Sequence, residues 1–379
     1  MLQANYSRHS PGFMRRLKKL AAAFGEHRSA VLRHAFTRLP WEDLAALSHF
    51  KLPKKIKTIV IVGIGGSSLG AKTILSALSV SKIAVCFLDN VDPDFVHERL
   101  ATLDLKSSFF LLISKSGETI EVLSLAAILI SKISTASNFL IITDASSSPL
   151  ARFGMQHKIQ LLQSPHNIPG RFSALSVVAL LPALLTGIPI RKVQNGAGAA
   201  SWKKAYELAC YQYLHSIHKK PMTVIFPYGE RLSNFADWYI QLLAESIGKS
   251  KLVGITPIKA LGVKDQHSQL QLFLDGPDDK FFIFIKPQHP ASDIKIPGKR
   301  FSMSELFTAE YEGVKKAFSE RKKSFLELSF TAITPEALGE LLFFFELEIA
   351  FLGSLFKVNP ENQPAVELSK RATQSILAI

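Results

Sequence analysis

Residues 58–70 read TIVIVGIGGSSLG, a short β-branched run that passes directly into a glycine-rich turn. An apolar run without polar alternation is typical of a strand that is buried on both faces of a parallel sheet. Similar runs follow at residues 83–88, 109–113 and 139–142, with helical patterns between them. Strands that alternate with helices predict an α/β unit, in which helices cover both faces of a mainly parallel sheet.

The same alternation recurs in the second half of the chain. Apolar runs at residues 223–226, 281–285 and 325–330 predict strands, and residues 232–247 and 336–356 have apolar side chains at helical spacing. The sequence therefore predicts two α/β units in tandem, with additional helices at both ends of the chain.

This pattern divides the chain into four segments, with a glycine-rich linker at residues 194–200 (QNGAGAA). The expected segments are an N-terminal helical segment at 1–50, a first α/β domain at 51–193, a second α/β domain at 200–358 and a C-terminal helical segment at 359–379. Two domains are the ordinary arrangement for a chain of 379 residues, because a single hydrophobic core seldom grows so large.

The chain carries 45 Lys and Arg against 31 Asp and Glu, a formal net charge of +14. Such a charge is compatible with nucleic acid, an anionic membrane or an anionic metabolite as partner. The basic residues form short clusters that are not interleaved with aromatic residues, so we expect no nucleic-acid partner. Residues 338–356 are the most apolar long stretch, but three glutamates interrupt it, and we expect no membrane partner.

The cysteines indicate a reducing compartment. Cys86 and Cys210 offer no metal-ligand spacing, and buried free thiols are expected for both. The basic N-terminus lacks the compact apolar core of a signal peptide. We therefore expect a cytoplasmic protein.

Two loops follow predicted strands and precede predicted helices. In residues 63–70, Ser68 stands where a dinucleotide fingerprint has glycine or alanine, and Lys72 is one residue out of register for a Walker A loop. Residues 114–119 (SKSGET) gather three hydroxyls, one ammonium and the first N–H groups of a helix, which suits a phosphate dianion. Ser and Thr are also ordinary helix N-caps, so this second loop taken alone leaves both interpretations open.

The two loops together resemble the sugar-isomerase (SIS) domain, a phosphosugar-binding module. Four further segments are similar, in the same order along the chain, to motifs of the glucose-6-phosphate isomerase (phosphoglucose isomerase) family. They are residues 170–176 (GRFSALS), 241–249 (QLLAESIGK), 265–268 (DQHS) and 362–370 (NQPAVELSK). The resemblance spans residues 58–370. Pro169, Ala365 and Ser369 depart from it, because the family usually has glycine at these positions.

The resemblance implies two tandem SIS-type domains and an aldose–ketose isomerase of glycolysis and gluconeogenesis. Its expected reaction interconverts glucose 6-phosphate and fructose 6-phosphate through ring opening and an enediol(ate) intermediate. By their match to the family motifs, Glu245 is the base that moves a proton between C1 and C2, and His267 and Lys370 open the sugar ring. Arg171 is expected to face the oxygens on which charge develops, a role that suits a permanent cation.

The remaining matched positions are expected to bind the substrate. These residues are Gly66, Ser67, Ser114, Lys115, Ser116, Thr119, Gln241 and Gln363. The scheme requires no metal and no organic cofactor, and a hexose phosphate is the expected partner. The resemblance also implies a homodimer in which His267 reaches the active site of the second copy.

Two alternative functions fit much of the same sequence. An isomerase that also accepts mannose 6-phosphate would use the same residues, since the two substrates differ at one carbon. A non-catalytic phosphosugar-binding regulator would use residues 114–119 without Glu245 or His267. Such a regulator usually carries a DNA-binding segment as well, and residues 1–50 give no convincing helix-turn-helix pattern.

Overall fold

The computed structural model describes residues 2–7, 9–78, 83–133, 135–144 and 146–377. Within these residues the strands assemble into two five-stranded sheets with helices packed around them. The predicted fold class, a tandem pair of mainly parallel α/β units with further helices at both ends, is confirmed.

The strands that the structure describes are short, and each is four to eight residues long. In chain order they are β1 (Gln3–Tyr6), β2 (Thr58–Val62), β3 (Ala84–Leu88), β4 (Ser108–Ile113), β5 (Phe139–Thr143), β6 (Gln160–Gln163), β7 (Met222–Pro227), β8 (Thr256–Lys259), β9 (Lys280–Pro287) and β10 (Phe325–Phe330). The first sheet has the order β3-β2-β4-β5-β6 and is parallel throughout. The second has the order β1-β10-β9-β7-β8, in which β1 runs antiparallel to β10.

The α-helices connect these strands and form the layers on either side of the sheets. They are α1 (Pro11–Ala22), α2 (Phe24–Val31), α3 (Leu69–Leu78), α4 (Pro93–Thr102), α5 (Ile120–Lys132), α6 (Pro149–Gln156), α7 (Val177–Leu185), α8 (Ile190–Gly198), α9 (Trp202–Ile217), α10 (Ser233–Ile247), α11 (Leu270–Asp275), α12 (Met303–Glu320), α13 (Pro335–Phe356) and α14 (Val366–Leu377).

The centre of the first sheet explains the uninterrupted apolar run at its start. Residues Ile59 to Val62 of β2 have no exposed surface, because helices cover both faces of the sheet. β2 pairs with β4 in parallel, so the loops that follow these two strands emerge side by side at the same edge of the sheet. That edge is where open α/β sheets bind their ligands.

The N-terminal segment differs from the purely helical prediction for residues 1–50. α1 and α2 are present, but β1 precedes them and adds a fifth strand to the second sheet. Leu2 is buried and Ala4 and Tyr6 are half-buried, whereas the residues between them are exposed. This alternation is the period of a strand with one buried face, in a segment too short to stand out beside the helix that follows it.

The glycine-rich stretch at residues 194–200 is not a linker, and that prediction was wrong. Its residues 194–198 complete α8, which packs against α13. A Cβ atom on Gly196 would lie 1.8 Å from the Glu336 carbonyl oxygen, and one on Gly339 would lie 1.8 Å from the Val193 carbonyl oxygen. The glycines therefore allow two helix backbones to touch, and the domain boundaries at 193 and 200 stay a prediction.

α13 runs through the hydrophobic core, and most of its residues are buried. Glu346 and Glu348 on this helix have no exposed surface. Among the described residues, no helix combines the length and the low polarity that crossing a bilayer requires.

Candidate functional site

The glycine loop after β2 packs against a second loop that carries Arg171. The loop turns through Gly65, whose φ is +59°, before α3 begins at Leu69. A Cβ atom on Gly66 would lie 2.1 Å from the carbonyl carbon of Gly170. Only glycine therefore lets this loop lie against the short 3-10 turn Gly170–Phe172.

The loop after β4 places hydroxyl groups around the start of α5. Ser114 is buried, and its Oγ lies 2.8 Å from the Thr119 Oγ1 and accepts a hydrogen bond of 3.1 Å from the Gly117 N–H. Ser116 is exposed, and its Oγ accepts from the Glu118 N–H at 3.3 Å. The loop is thus preorganised at the positive end of a 13-residue helix, with one hydroxyl facing solvent.

Lys115 extends from the same loop towards the end of β5. Its Nζ lies 3.7 Å from the Asp144 carboxylate, and about a third of the side chain is exposed. The Thr143 hydroxyl donates to the Lys115 carbonyl oxygen at 3.1 Å. The ammonium therefore remains accessible to an anion at the mouth of the loop.

Arg171 is a buried cation that joins its own loop, which contains the turn Gly170–Phe172, to α10. Its side chain is almost inaccessible, with 2% of the residue exposed. Nε donates to the Ser246 Oγ at 2.8 Å, and Nη1 donates to the Glu245 Oε2 at 3.1 Å. Burial lowers the pKa of the Arg171 guanidinium, and the neighbouring Glu245 carboxylate opposes that shift.

The same guanidinium also binds the segment that leads into α14. Nη1 donates to the Gln363 Oε1, and Nη2 donates to the carbonyl oxygens of Pro360 and Asn362, the latter at 3.1 Å. Arg171 therefore fixes three parts of the chain relative to one another: its own loop, α10 and residues 359–363.

Glu245 lies near the end of α10 with both carboxylate oxygens engaged. Oε2 accepts from Arg171, and Oε1 accepts from the Gln241 Nε2 at 3.0 Å. Gln241 lies against the glycine loop, since a Cβ atom on Gly65 would be 2.8 Å from its Nε2. The side chain of Glu245 is 30% exposed, so a carboxylate held in one orientation still faces solvent.

Lys249 contacts the same two segments as Arg171 and was given no role from the sequence. Its Nζ donates to the Glu245 carbonyl oxygen at 2.6 Å and to the Asn362 carbonyl oxygen. Burial, together with the positive charge of Arg171, lowers the pKa of Lys249 to about 8, and the Glu245 carboxylate opposes that shift. Lys249 follows Glu245 by four residues, close to the end of the predicted helix. This spacing is the feature of the sequence that could have placed Lys249 beside the expected base.

The structure does not bring His267 and Lys370 to the other expected catalytic residues. His267 is exposed, directly after the 3-10 turn Lys264–Gln266. Lys370 lies on α14, where its Nζ donates to the Glu367 carboxylate at 2.7 Å and more than half of the side chain is exposed. In the part of the chain that the structure describes, neither side chain hydrogen-bonds to Glu245.

The chain is similar to a well-defined group of proteins. The sequence profile described as phosphoglucose isomerase matches residues 49–272. A glucose-6-phosphate isomerase of Thermus thermophilus is 32% identical over 98% of this chain and 96% of its own length.

Two solved structures have the same fold over most or all of the chain. A hypothetical protein from Thermus thermophilus is 31% identical and superposes with a TM-score of 0.91, and the alignment covers 100% of both chains. A glucose-6-phosphate isomerase from Chlamydia trachomatis is 25% identical, with a TM-score of 0.75 over 94% of this chain and 74% of its own.

Proposed function

We propose that this chain, which belongs to the phosphoglucose isomerase family, catalyses the reversible conversion of glucose 6-phosphate into fructose 6-phosphate. The observation that carries the proposal is the carboxylate of Glu245, held on both oxygens beside the buried guanidinium of Arg171. This pair provides a base for a carbon acid and a cation for the oxyanion that forms.

The phosphate group of the substrate binds at the loop after β4. Ser114, Ser116 and Thr119 supply hydroxyls, Lys115 supplies a positive charge, and the start of α5 supplies backbone N–H groups. The phosphate takes no part in the reaction. Its binding energy positions C1 and C2 of the sugar against the base.

Proton transfer then takes place at Glu245. The carboxylate removes the proton from C2 of the open-chain aldose, and the C2–H electron pair forms the double bond of an enediolate. The charge on the sugar oxygen is stabilised by the Arg171 guanidinium. The proton of the C2 hydroxyl passes to the C1 oxygen as the C2 carbonyl forms, and the carboxylic acid returns its proton to C1, which yields the ketose and restores the ionised base. The reverse sequence converts ketose into aldose.

Ring opening requires groups that move protons between the ring oxygen and a hydroxyl. We assign this step to His267 and Lys370, and sugar binding to Gln363 and Gln241 together with Gly66 and Ser67. His267 is exposed and has no hydrogen bond to Glu245 among the described residues, which is compatible with a homodimer in which it completes the site of the second copy. A partner residue in the site would make activity depend on dimerisation.

The reaction is proposed to run in the cytoplasm as a step of glycolysis and gluconeogenesis. Every step above uses a side chain of the protein, so turnover without added metal is expected. The test is a coupled assay of fructose 6-phosphate conversion by folded protein in EDTA. Absence of turnover would refute the proposed function, and retained phosphosugar binding would then favour a regulator.

Glu245→Gln tests the assigned base. The amide keeps the shape of the side chain but cannot take a proton, so kcat should fall by about 10²-fold or more while phosphosugar binding persists. Glu320→Gln, at the exposed end of α12, is the matched control and should leave kcat unchanged. Full activity of Glu245→Gln would require a different base.

A further inference from the structure

The ammonium of Lys249 is bound by main-chain oxygens from two segments. One is the carbonyl of Glu245 near the end of α10, at 2.6 Å, and the other is the carbonyl of Asn362. The last carbonyls of a helix have no partner within the helix and carry partial negative charge, so a cation binds there favourably. Among the described residues, no ion pair joins Lys249 to a carboxylate.

Both segments belong to the proposed active site. α10 carries the base Glu245, and residues 359–363 carry Gln363 and lead into α14. The Asn362 carbonyl accepts from Arg171 as well as from Lys249, so two cations converge on one oxygen. Like charges repel, and the arrangement persists because Arg171 also donates to four other acceptors and Lys249 also donates to the Glu245 carbonyl oxygen.

We propose that Lys249 is a positioning residue, which clamps residues 359–363 onto the end of α10 and so sets the sugar-binding Gln363 against the base Glu245. This inference rests on the proposed isomerase function. Arg171 holds residues 359–363 from the side of its own loop, and the His34–Glu361 pair holds them from the N-terminal segment. Lys249 attaches the same segment to the end of α10, the helix that carries Glu245. This attachment prevents residues 359–363 from rotating about the Arg171 guanidinium.

The charges around this clamp favour a pH-dependent contact. Arg171 faces Lys249 from the turn Gly170–Phe172, Glu245 faces it from α10, and Glu361 is paired with His34 at 3.1 Å. Burial brings the pKa of Lys249 to about 8, so the ammonium loses its proton within an accessible range. The clamp is weakened above that pH, because a neutral amine donates weaker hydrogen bonds than an ammonium does.

Stability and activity respond to this titration in opposite directions. The pKa of Lys249 is lower in the folded chain than in the unfolded chain, so between about pH 8 and the ordinary lysine pKa the unfolded state binds more protons. The contribution of this group to stability therefore rises with pH, while the activity falls. Loss of activity through this titration is not explained by unfolding.

Three variants test the inference: Lys249→Met, Lys249→Arg and the exposed control Lys251→Met. For each we would measure kcat and KM for fructose 6-phosphate from about pH 7 to 9.5, with circular dichroism as the check on folding. Lys249→Met should lower kcat by about tenfold or more, the effect of losing a charge-assisted hydrogen bond. KM should change less than kcat, because residues 114–119, which are proposed to bind the phosphate, are not part of the clamp.

The pH profiles separate positioning from a merely structural role. Wild-type kcat should fall above about pH 8, whereas Lys249→Arg should keep much of kcat and lose that decline, since a guanidinium stays protonated. Lys251→Met should match the wild type. A folded Lys249→Met with wild-type kcat, or a folded Lys249→Arg that keeps the decline at pH 8, would overturn the inference. An inactive wild type would instead refute the proposed function.

Discussion

Arg171→Lys should nearly abolish isomerisation while conserving the positive charge. The guanidinium donates five hydrogen bonds, one from Nε and two from each terminal nitrogen, to acceptors on α10 and residues 359–363. Lysine has a single nitrogen with three protons and no planar fork, so at least two of the five bonds are lost.

The size of the effect follows from those bonds. A hydrogen bond to a charged group contributes about 1.5–3 kcal/mol, so two of them contribute about 3–6 kcal/mol. Since about 1.4 kcal/mol corresponds to a factor of ten, kcat/KM should fall by about 10²- to 10⁴-fold. Within the described part of the chain, Arg171 does not hydrogen-bond to residues 114–119, which are proposed to bind the phosphate, so most of this loss should be in kcat.

The assay is the coupled conversion of fructose 6-phosphate, with thermal unfolding measured on the same preparations. Arg191→Lys is the matched control, because Arg191 is more than half exposed and pairs with an exposed Asp43. A folded Arg171→Lys with kcat/KM within about threefold of the control would refute the view that the fork geometry organises the site, since the charge alone would then suffice.

Two predictions concern stability. Gly339→Ala should destabilise the fold by about 1–3 kcal/mol despite the better helix propensity of alanine, because its Cβ would meet the Val193 carbonyl oxygen. Gly313→Ala in α12, where a Cβ meets nothing within 4 Å, is the control in urea unfolding, and equal stability of the two variants would contradict the packing argument. Glu348→Gln tests a buried carboxyl whose pKa is raised well above its ordinary value by desolvation. The folded state then binds more protons than the unfolded state above that ordinary value, so this carboxyl makes wild-type stability fall as the pH rises. Glu348→Gln should lose this contribution to the pH dependence of the free energy of unfolding, measured in urea at pH 6.5 and 8. An equal pH dependence in wild type and variant would show that the carboxyl does not titrate in this way.

The sequence predicted the central strands well because their signal is local. β2 and β10 coincide with the predicted runs at residues 58–62 and 325–330, β4 and β5 contain the predicted runs, and β3 begins one residue after the start of its predicted run at 83–88. β8 was missed, since the run TPIK is short, half-exposed and interrupted by Pro257, as an edge strand can be. α8 was missed for a different reason. Gly196 and Gly198 are unfavourable for an isolated helix, and Gly196 is required by contact with α13, which lies far along the chain.

The candidate site was accessible from the sequence only through family resemblance. Arg171 and Glu245 are separated by 74 residues, and Arg171 and Gln363 by 192 residues. Neither helical periodicity nor strand alternation carries information over such distances. The structure brings these residues together, as well as Gln241, but the assigned roles stay predictions. His267 and Lys370 remain apart from them within the described part of one chain.

The proposed sites of phosphate binding and of proton transfer depend on different parts of the fold. The phosphate loop is complete within the first sheet, because it is anchored on Thr143 and Asp144 at the neighbouring strand end. Arg171 instead takes all five of its acceptors from residues 245–246 and 360–363, in the second half of the chain. A guanidinium this deeply buried would be an unpaired charge without them, which costs several kcal/mol. The proposed phosphate-binding loop is therefore formed locally, whereas the arrangement proposed for proton transfer exists only once both halves have folded onto each other.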